Sequence, residues 1–202
     1  NDINQVLSEA ELVILAVPSP YVKDVRAEIT VDMSQEKVIS AVKGMIPGDN
    51  ILVTDYMHQH FHVPEANLGM ITGPCHAEEI ALERLSYLTI GCKDTANATE
   101  WKKLFDTPYV RTTPSNDMKG LEYASVMKNI YAIAAGMCTS LRYGDNFQAV
   151  LLTNAMHEIV RFTKAVSDIP RDITDSGYLG DVLVTAYSNF SRNRQFGQMI
   201  GM

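Results

Sequence analysis

Cysteine is scarce in this sequence. Cys75, Cys92 and Cys138 are odd in number, far apart and without CxxC spacing, which suggests neither a disulfide framework nor a zinc site and suits a reducing compartment. Positive charge is also short: 17 Lys and Arg face 24 Asp and Glu, for a formal net charge of −7. Nucleic acid is therefore not expected as the main partner, because phosphate backbones are met by basic patches. Any anionic ligand must be held by a few local cations. Long apolar runs are missing too, since LVILAVP at 12–18 is far below the roughly 20 residues a bilayer crossing needs. No basic segment followed by an apolar one opens the chain. These absences lead us to expect a cytoplasmic protein with no membrane span. One further absence bears on nucleotide binding. A dinucleotide-binding sheet normally opens with a strand and a GxGxxG turn that presents backbone N–H groups to the pyrophosphate, and the 202 residues contain no such turn.

With 46% hydrophobic and 20% charged residues, the chain has the composition of an ordinary globular protein of one large or two modest domains. The run 12–18, without alternation, suits a parallel strand covered on both faces. Val38–Val42, Ile51–Thr54, Asn67–Thr72 and Tyr87–Gly91 repeat the pattern, with helical segments expected at His76–Leu85 and Ala98–Phe105. From about Ser115 the character changes. Residues 119–142 and 146–167 read as long helices, with apolar residues three and four apart, and 178–202 reads as mostly helical. The fold class is α/β: part of a parallel sheet domain over 1–114, followed by part of an all-helical domain over 115–202.

Several residues carry candidate chemistry. SVMKNIYAIAAGM at 125–137 places Lys128 and Asn129 inside an apolar helical run. Such a lysine either lays its stem along the helix with its ammonium in water, or is desolvated and becomes able to exchange a proton near neutral pH. Asp181 in YLGDVLVT is a second charge in an apolar run. A buried carboxylate needs a cation or donors, and Lys128 is the candidate partner. Lys43 follows an apolar strand and precedes glycine, which puts an ammonium at a strand's carboxyl end, where open α/β sheets bind ligands. Gly73-Pro74 reads as a tight turn before a helix whose N-terminus offers unpaired N–H groups. Ser191, Arg192 and Asn193 supply a hydroxyl, a forked guanidinium and an amide, a set that suits phosphate oxygens, while Arg194 reads as structural or solvated. His58, His60 and His62 in HQHFH would share a face on a strand. No acidic or cysteine cluster completes a metal set, and a solvated loop is the expectation. Glu78, Glu79 and Glu83 read as early-helix charges.

Taken in order, AVKGM at 41–45, TGPCHAEEIA at 72–81, VMKNIYAIAAG at 126–136 with YGDN at 143–146, and LGDVLVT with SRNRQFG within 179–197 resemble the NAD(P)-dependent glycerol-3-phosphate dehydrogenases. The resemblance spans nearly the whole chain. It implies a Rossmann-type domain followed by a helical domain. Between them, dihydroxyacetone phosphate and sn-glycerol 3-phosphate would be interconverted with NAD or NADP, feeding glycerophospholipid synthesis. It makes Lys128 the catalytic lysine. It assigns substrate contacts to Lys43, Gly73, Cys75, Asn129, Asp181, Thr185, Ser191, Arg192 and Asn193, and cofactor contacts to Lys43, Ala77 and Arg192. It offers no metal.

Two features depart from the family pattern. Cys75 stands where a serine or threonine is usual, and Tyr123-Ala124-Ser125 stands where glycines usually precede the lysine. On this reading the chain begins inside the nucleotide-binding domain and stops before the helical domain is complete. A homodimer is expected, because long apolar helices without the rest of their domain leave a patch that invites a partner. Two other readings stay open: a related two-domain dehydrogenase of a hydroxy acid or sugar acid, and a non-catalytic chain that serves dimer formation or partner binding.

Overall fold

In the computed structural model, which describes residues 2–202, the first half runs α1 (Ile3–Glu9), β1 (Val13–Leu15), α2 (Val22–Glu28), β2 (Val38–Ser40), β3 (Met45–Ile46), β4 (Ile51–Leu52), α3 (Val53–Phe61), β5 (Leu68–Thr72), α4 (Ala77–Ile80), β6 (Ser86–Cys92), α5 (Thr95–Phe105) and β7 (Val110–Ser115). The second half runs α6 (Met118–Ser140), α7 (Gly144–Val166), α8 (Asp181–Tyr187) and α9 (Arg192–Ile200). Five strands form one sheet in the order β1-β2-β5-β6-β7. Several helices start where a side-chain acceptor meets their first N–H groups. Asp94, for example, accepts from the N–H groups of Ala96 and Asn97 to start α5, and Ser191 accepts from Arg194 N–H to start α9.

The sheet is parallel at β1/β2, β2/β5 and β6/β7, but β6 runs antiparallel to β5, with Gly69 opposite Cys92 and Thr72 opposite Thr89. The expected parallel pattern fails there because the connection holds only the four-residue α4. A parallel return needs a crossover, usually a full helix. The helix expected over 76–85 is accordingly cut to Ala77–Ile80, and Glu83 lies beyond it with φ of 55°.

Ile51–Thr54 is not a strand of the main sheet. Ile51 and Leu52 pair antiparallel with Met45 and Ile46 in a separate hairpin, and Val53 and Thr54 open α3. The HQHFH segment forms the end of that helix rather than a strand or loop, with His62 as a left-handed cap at φ of 56°. Alternate residues on a helix do not share a face. Among the described residues no group of three or more His, Cys, Asp or Glu is arranged to hold a metal ion. Strand β7 is one that pattern reading does not single out. Val110 and Thr112 are buried between exposed neighbours, and its place at the sheet edge accommodates Pro114.

The two long helices lie where the periodicity places them, while 178–202 breaks at Ser188–Ser191 into α8 and α9. Helix α6 is the centre of the second half. It packs on β5 and β6 and on α7, α8 and α9, and its crossing with α9 is close enough that a Cβ at Gly136 would strike the Arg194 carbonyl. The larger core joins residues from both halves, among them Val38, Leu68 and Met70 of the sheet with Leu121, Tyr131, Ile159 and Ala186 of the helices. No helix among the described residues is long and apolar enough to cross a membrane.

Asp117 caps the start of α6 by accepting from Gly120 N–H at 3.1 Å. The same buried carboxylate takes Arg171 Nε at 2.5 Å, Nη2 at 3.2 Å and the Tyr178 hydroxyl at 2.5 Å. It therefore fastens the α7–α8 connection to the root of α6. Asp117→Ala leaves a guanidinium and a phenol without their acceptor, and the expected loss is about 3 kcal/mol, read as a lower urea midpoint at unchanged slope.

Candidate active site

Lys128 and Asp181 meet inside the fold. Their separation is 2.5 Å, with side-chain exposures of 10% and 3%. The contact arises because the third turn of α6 and the first turn of α8 face each other across the carboxyl end of β5. Asp181 uses its second oxygen to accept from the Thr72 hydroxyl at 2.7 Å. Both carboxylate oxygens are thereby engaged, and the Lys128 ammonium is held at one azimuth. The Lys128 amine is therefore buried and paired, not solvated.

Lys43 lies just past β2. Its stem is exposed, but its ammonium turns inwards and donates to the Ile71 carbonyl. Withdrawal of that end from water, followed by repulsion from the Lys128 ammonium, lowers its pKa from 10.5 to about 8, against the opposing pull of Asp181, Cys75 and Glu122. Two cations and one carboxylate thus share a small volume at the end of β2 and β5. An open α/β sheet presents its ligand site at this end.

Gly73 ends β5 with φ of +123°, and a Cβ there would sit 2.5 Å from the Tyr87 carbonyl. Only glycine suits both the backbone angle and the approach to β6. Pro74 then packs against Gly180, one residue before Asp181, so this turn and the start of α8 are neighbours. Cys75 is half-buried, and burial raises its thiol pKa, which does not suit a reactive thiolate. Ala77 is exposed at the start of α4. That helix, at four residues, is too short to act as the anion-binding N-terminus expected here.

The remaining candidates are placed less directly. Asn129 folds back to donate to the Ser125 carbonyl at 3.3 Å. Thr185 donates to the Asp181 carbonyl at 2.6 Å. Each is satisfied by its own helix, although the Thr185 oxygen retains acceptor capacity. Ser191 serves as the α9 cap. The side chains of Arg192 and Asn193 make no hydrogen bond or ion pair with any described residue, and Arg192 is exposed. Their segment is carried towards the Gly73–Ala77 loop by Phe190, whose ring lies 5.9 Å from that of His76. Arg194 donates to Asn189 at 3.1 Å, in keeping with a structural role.

Two participants escape sequence reasoning. Thr72 fixes the far oxygen of Asp181, and its only signal is its place directly before Gly73. Glu122, 1% exposed, accepts from Val53 N–H at 2.9 Å, Thr54 N–H at 3.2 Å and the Thr54 hydroxyl. Burial pushes its carboxyl up to about 7 in spite of those three donors. It was open to the same argument as Lys128, being another charge in the apolar stretch of α6.

Comparison with known proteins gives the following. The model described as NAD-dependent glycerol-3-phosphate dehydrogenase N-terminus matches residues 1–98, and the corresponding C-terminus model matches 117–202. A glycerol-3-phosphate dehydrogenase [NAD(P)+] from Exiguobacterium is 32% identical over 202 residues, covering 99% of this chain and 59% of that protein. The crystal structure of glycerol-3-phosphate dehydrogenase from Coxiella burnetii superposes with a TM-score of 0.87 at 25% identity, over 99% of this chain and 61% of that one. A Plasmodium falciparum glycerol-3-phosphate dehydrogenase gives 0.84 at 27% identity, over 98% and 57%. The chain thus spans about three fifths of the length of the relatives it matches.

The lowered pKa of Lys43 is directly measurable. In reductively ¹³C-methylated protein its resonance should titrate near pH 8, whereas a midpoint near the ordinary 10.5 contradicts the buried ammonium. The corresponding stability effect has a definite sign. The folded state binds fewer protons than the unfolded one between about 8 and 10.5. The cost of holding the ammonium is therefore full below pH 8 and relieved as pH rises through that window.

Proposed function

Because the chain belongs to the NAD-dependent glycerol-3-phosphate dehydrogenase family through both its N- and C-terminal parts, we propose that it interconverts dihydroxyacetone phosphate and sn-glycerol 3-phosphate, with Lys128 as the proton donor and acceptor. The single observation that carries this reading is the buried Lys128–Asp181 pair, at 2.5 Å, beside the Lys43 ammonium.

The residues fit the nicotinamide end of a dinucleotide. Lys43 offers an inward-turned ammonium, Ala77 an open backbone edge and Arg192 a guanidinium not engaged by any described residue. A bound nicotinamide supplies or takes up the hydride. The chain's own residues handle the proton and the charge. As negative charge grows on the substrate's carbonyl oxygen, Lys128 gives it a proton, and in reverse its neutral amine takes the proton from the hydroxyl. Asp181, held by Thr72, keeps the amine pointed. Lys43 adds a second positive charge where the oxyanion forms. Arg192 and Asn193 grip the phosphate, the guanidinium in a bidentate manner that a lysine would not match. Gly73 and Cys75 line the substrate through their backbone, and Asn129, Thr185 and Ser191 complete its surroundings.

The proposed setting is a cytoplasmic homodimer. The support for the dimer is the run of exposed apolar side chains on α7 to α9, including Val150, Val160, Tyr187, Phe196 and Met199. The proposed division into a nucleotide-binding part over 1–114 and a helical part over 115–202 follows the passage from β7, ending at Ser115, to α6, starting at Met118.

Nicotinamide oxidation with dihydroxyacetone phosphate, in the full-length protein, tests the reading. Lys128→Ala should lower kcat by about 10²- to 10⁴-fold while nicotinamide binding persists, and unchanged turnover removes Lys128 from its role. Arg192→Ala should raise KM about 10-fold or more for the phosphorylated ketone, in line with loss of a charge-assisted bidentate contact worth about 1.5–3 kcal/mol. An equal change for an unphosphorylated analogue contradicts a phosphate grip.

A further inference from the structure

We infer that Glu122 is a positioning residue for the active site: its carboxylate ties the segment that carries Lys43 to the helix that carries Lys128. The catalytic part of this inference rests on the function proposed above, and the structural part does not.

The two lysines belong to different elements, and Lys43 sits outside any helix or strand. Two residues beyond it, Met45 pairs with Leu52 in the β3–β4 hairpin, and Leu52 adjoins Val53, the first residue of α3. This hairpin belongs to no larger sheet. Helix α3 has an apolar residue, Leu52, at its N-cap and no side-chain cap of its own. Its first N–H groups would be left without acceptors in a buried place, at a cost that native structures avoid. Glu122 supplies the missing cap from across the fold. One oxygen receives Val53 and Thr54 N–H, and the other receives the Thr54 hydroxyl. A carboxylate at a helix N-terminus is also favoured by the helix dipole.

From Glu122 the connection to Lys128 is six residues of continuous α-helix, which is stiff on the length scale of a hydrogen bond. The route from Lys43 to Lys128 is thus short: Lys43, Met45 with Leu52, Val53, Glu122, Lys128. The carboxylate is the only side-chain link in it. The Ile71 carbonyl holds the tip of Lys43, whereas the Glu122 tie holds its backbone. Without the tie, the buried N–H groups at the start of α3 lose their acceptor, and the hairpin and α3 keep to α6 only through core packing of Ile46 and Val53 with Leu121 and through the partly exposed Lys119–Asp55 ion pair at 2.9 Å, while the Lys128–Asp181–Thr72 set remains intact because it uses none of these atoms.

The variants are Glu122→Ala, which removes the acceptor, and Glu122→Gln, whose amide oxygen can still accept from Val53 and Thr54. Hydrogen exchange in the full-length protein reads the tie without reference to activity. In Glu122→Ala, amides over 43–54 should exchange at least 10-fold faster, with 124–136 and 192–200 unchanged, and Glu122→Gln should recover most of that protection. Steady-state kinetics then read the consequence. Glu122→Ala should lower kcat and raise both KM for dihydroxyacetone phosphate and the dissociation constant for the nicotinamide, each several-fold or more because Lys43 serves both, and Gln should again restore most of the loss. Unchanged exchange over 43–54 in Glu122→Ala overturns the tie, as does loosening spread evenly through the chain. Faster exchange with unaltered kinetics overturns the positioning role. If the wild-type protein does not turn over dihydroxyacetone phosphate at all, the proposed function fails while the exchange result still decides the tie.

Discussion

The ion pair between Lys128 and Asp181 has to be formed out of water, and nearly everything around it follows from that requirement. Removing an ammonium and a carboxylate from solvent costs several kcal/mol per ion unless geometry and further hydrogen bonds recover it. Here a 2.5 Å contact does part of the work, and the Thr72 hydroxyl occupies the remaining carboxylate oxygen. Neither partner can be satisfied by its own helix. The pair exists only if α6, α8 and the end of β5 come together, so the sheet and the helical part must dock for either charge to be buried. The same docking creates the recess in which Lys43 turns inwards and is itself partly desolvated.

Helix α6 carries this constraint further. Along its first three turns it buries three charged residues, each facing a different part of the chain. Asp117 faces Arg171 and Tyr178, Glu122 faces the start of α3, and Lys128 faces Asp181. Between them lie Leu121, Ala124 and Ser125, all buried. A helix enclosed on nearly every side can hold charges only at places where a specific partner arrives, and each partner comes from a different segment. The helix is therefore the element against which the hairpin, the α7–α8 connection and α8 are all indexed. In the proposed reaction its role is to make the position of one amine depend on the whole fold and little on local flexibility.

The sequence by itself determined a good deal of this. Apolar periodicity located α6 and α7 nearly residue for residue, because long amphipathic or buried helices repeat their signal many times. Charges stranded in apolar runs marked Lys128 and Asp181 as a pair, since burial without a partner is too costly to persist. The motif order identified the family. Tertiary structure alone decided the antiparallel course of β6, because strand direction depends on what the connection can span and not on strand composition. It also decided the helical fate of Val53, Thr54, His58 and His60: residues that look extended or solvated lie in a helix whose start is capped by a carboxylate 68 residues from Thr54. It placed the Thr72 hydroxyl opposite Asp181 and the Glu122 carboxylate opposite the start of α3, contacts that no residue type announces by itself. Finally, it put the strongly lowered pKa on Lys43, whose stem is exposed, because desolvation acts at the charged atom and only the folded chain shows where that atom points.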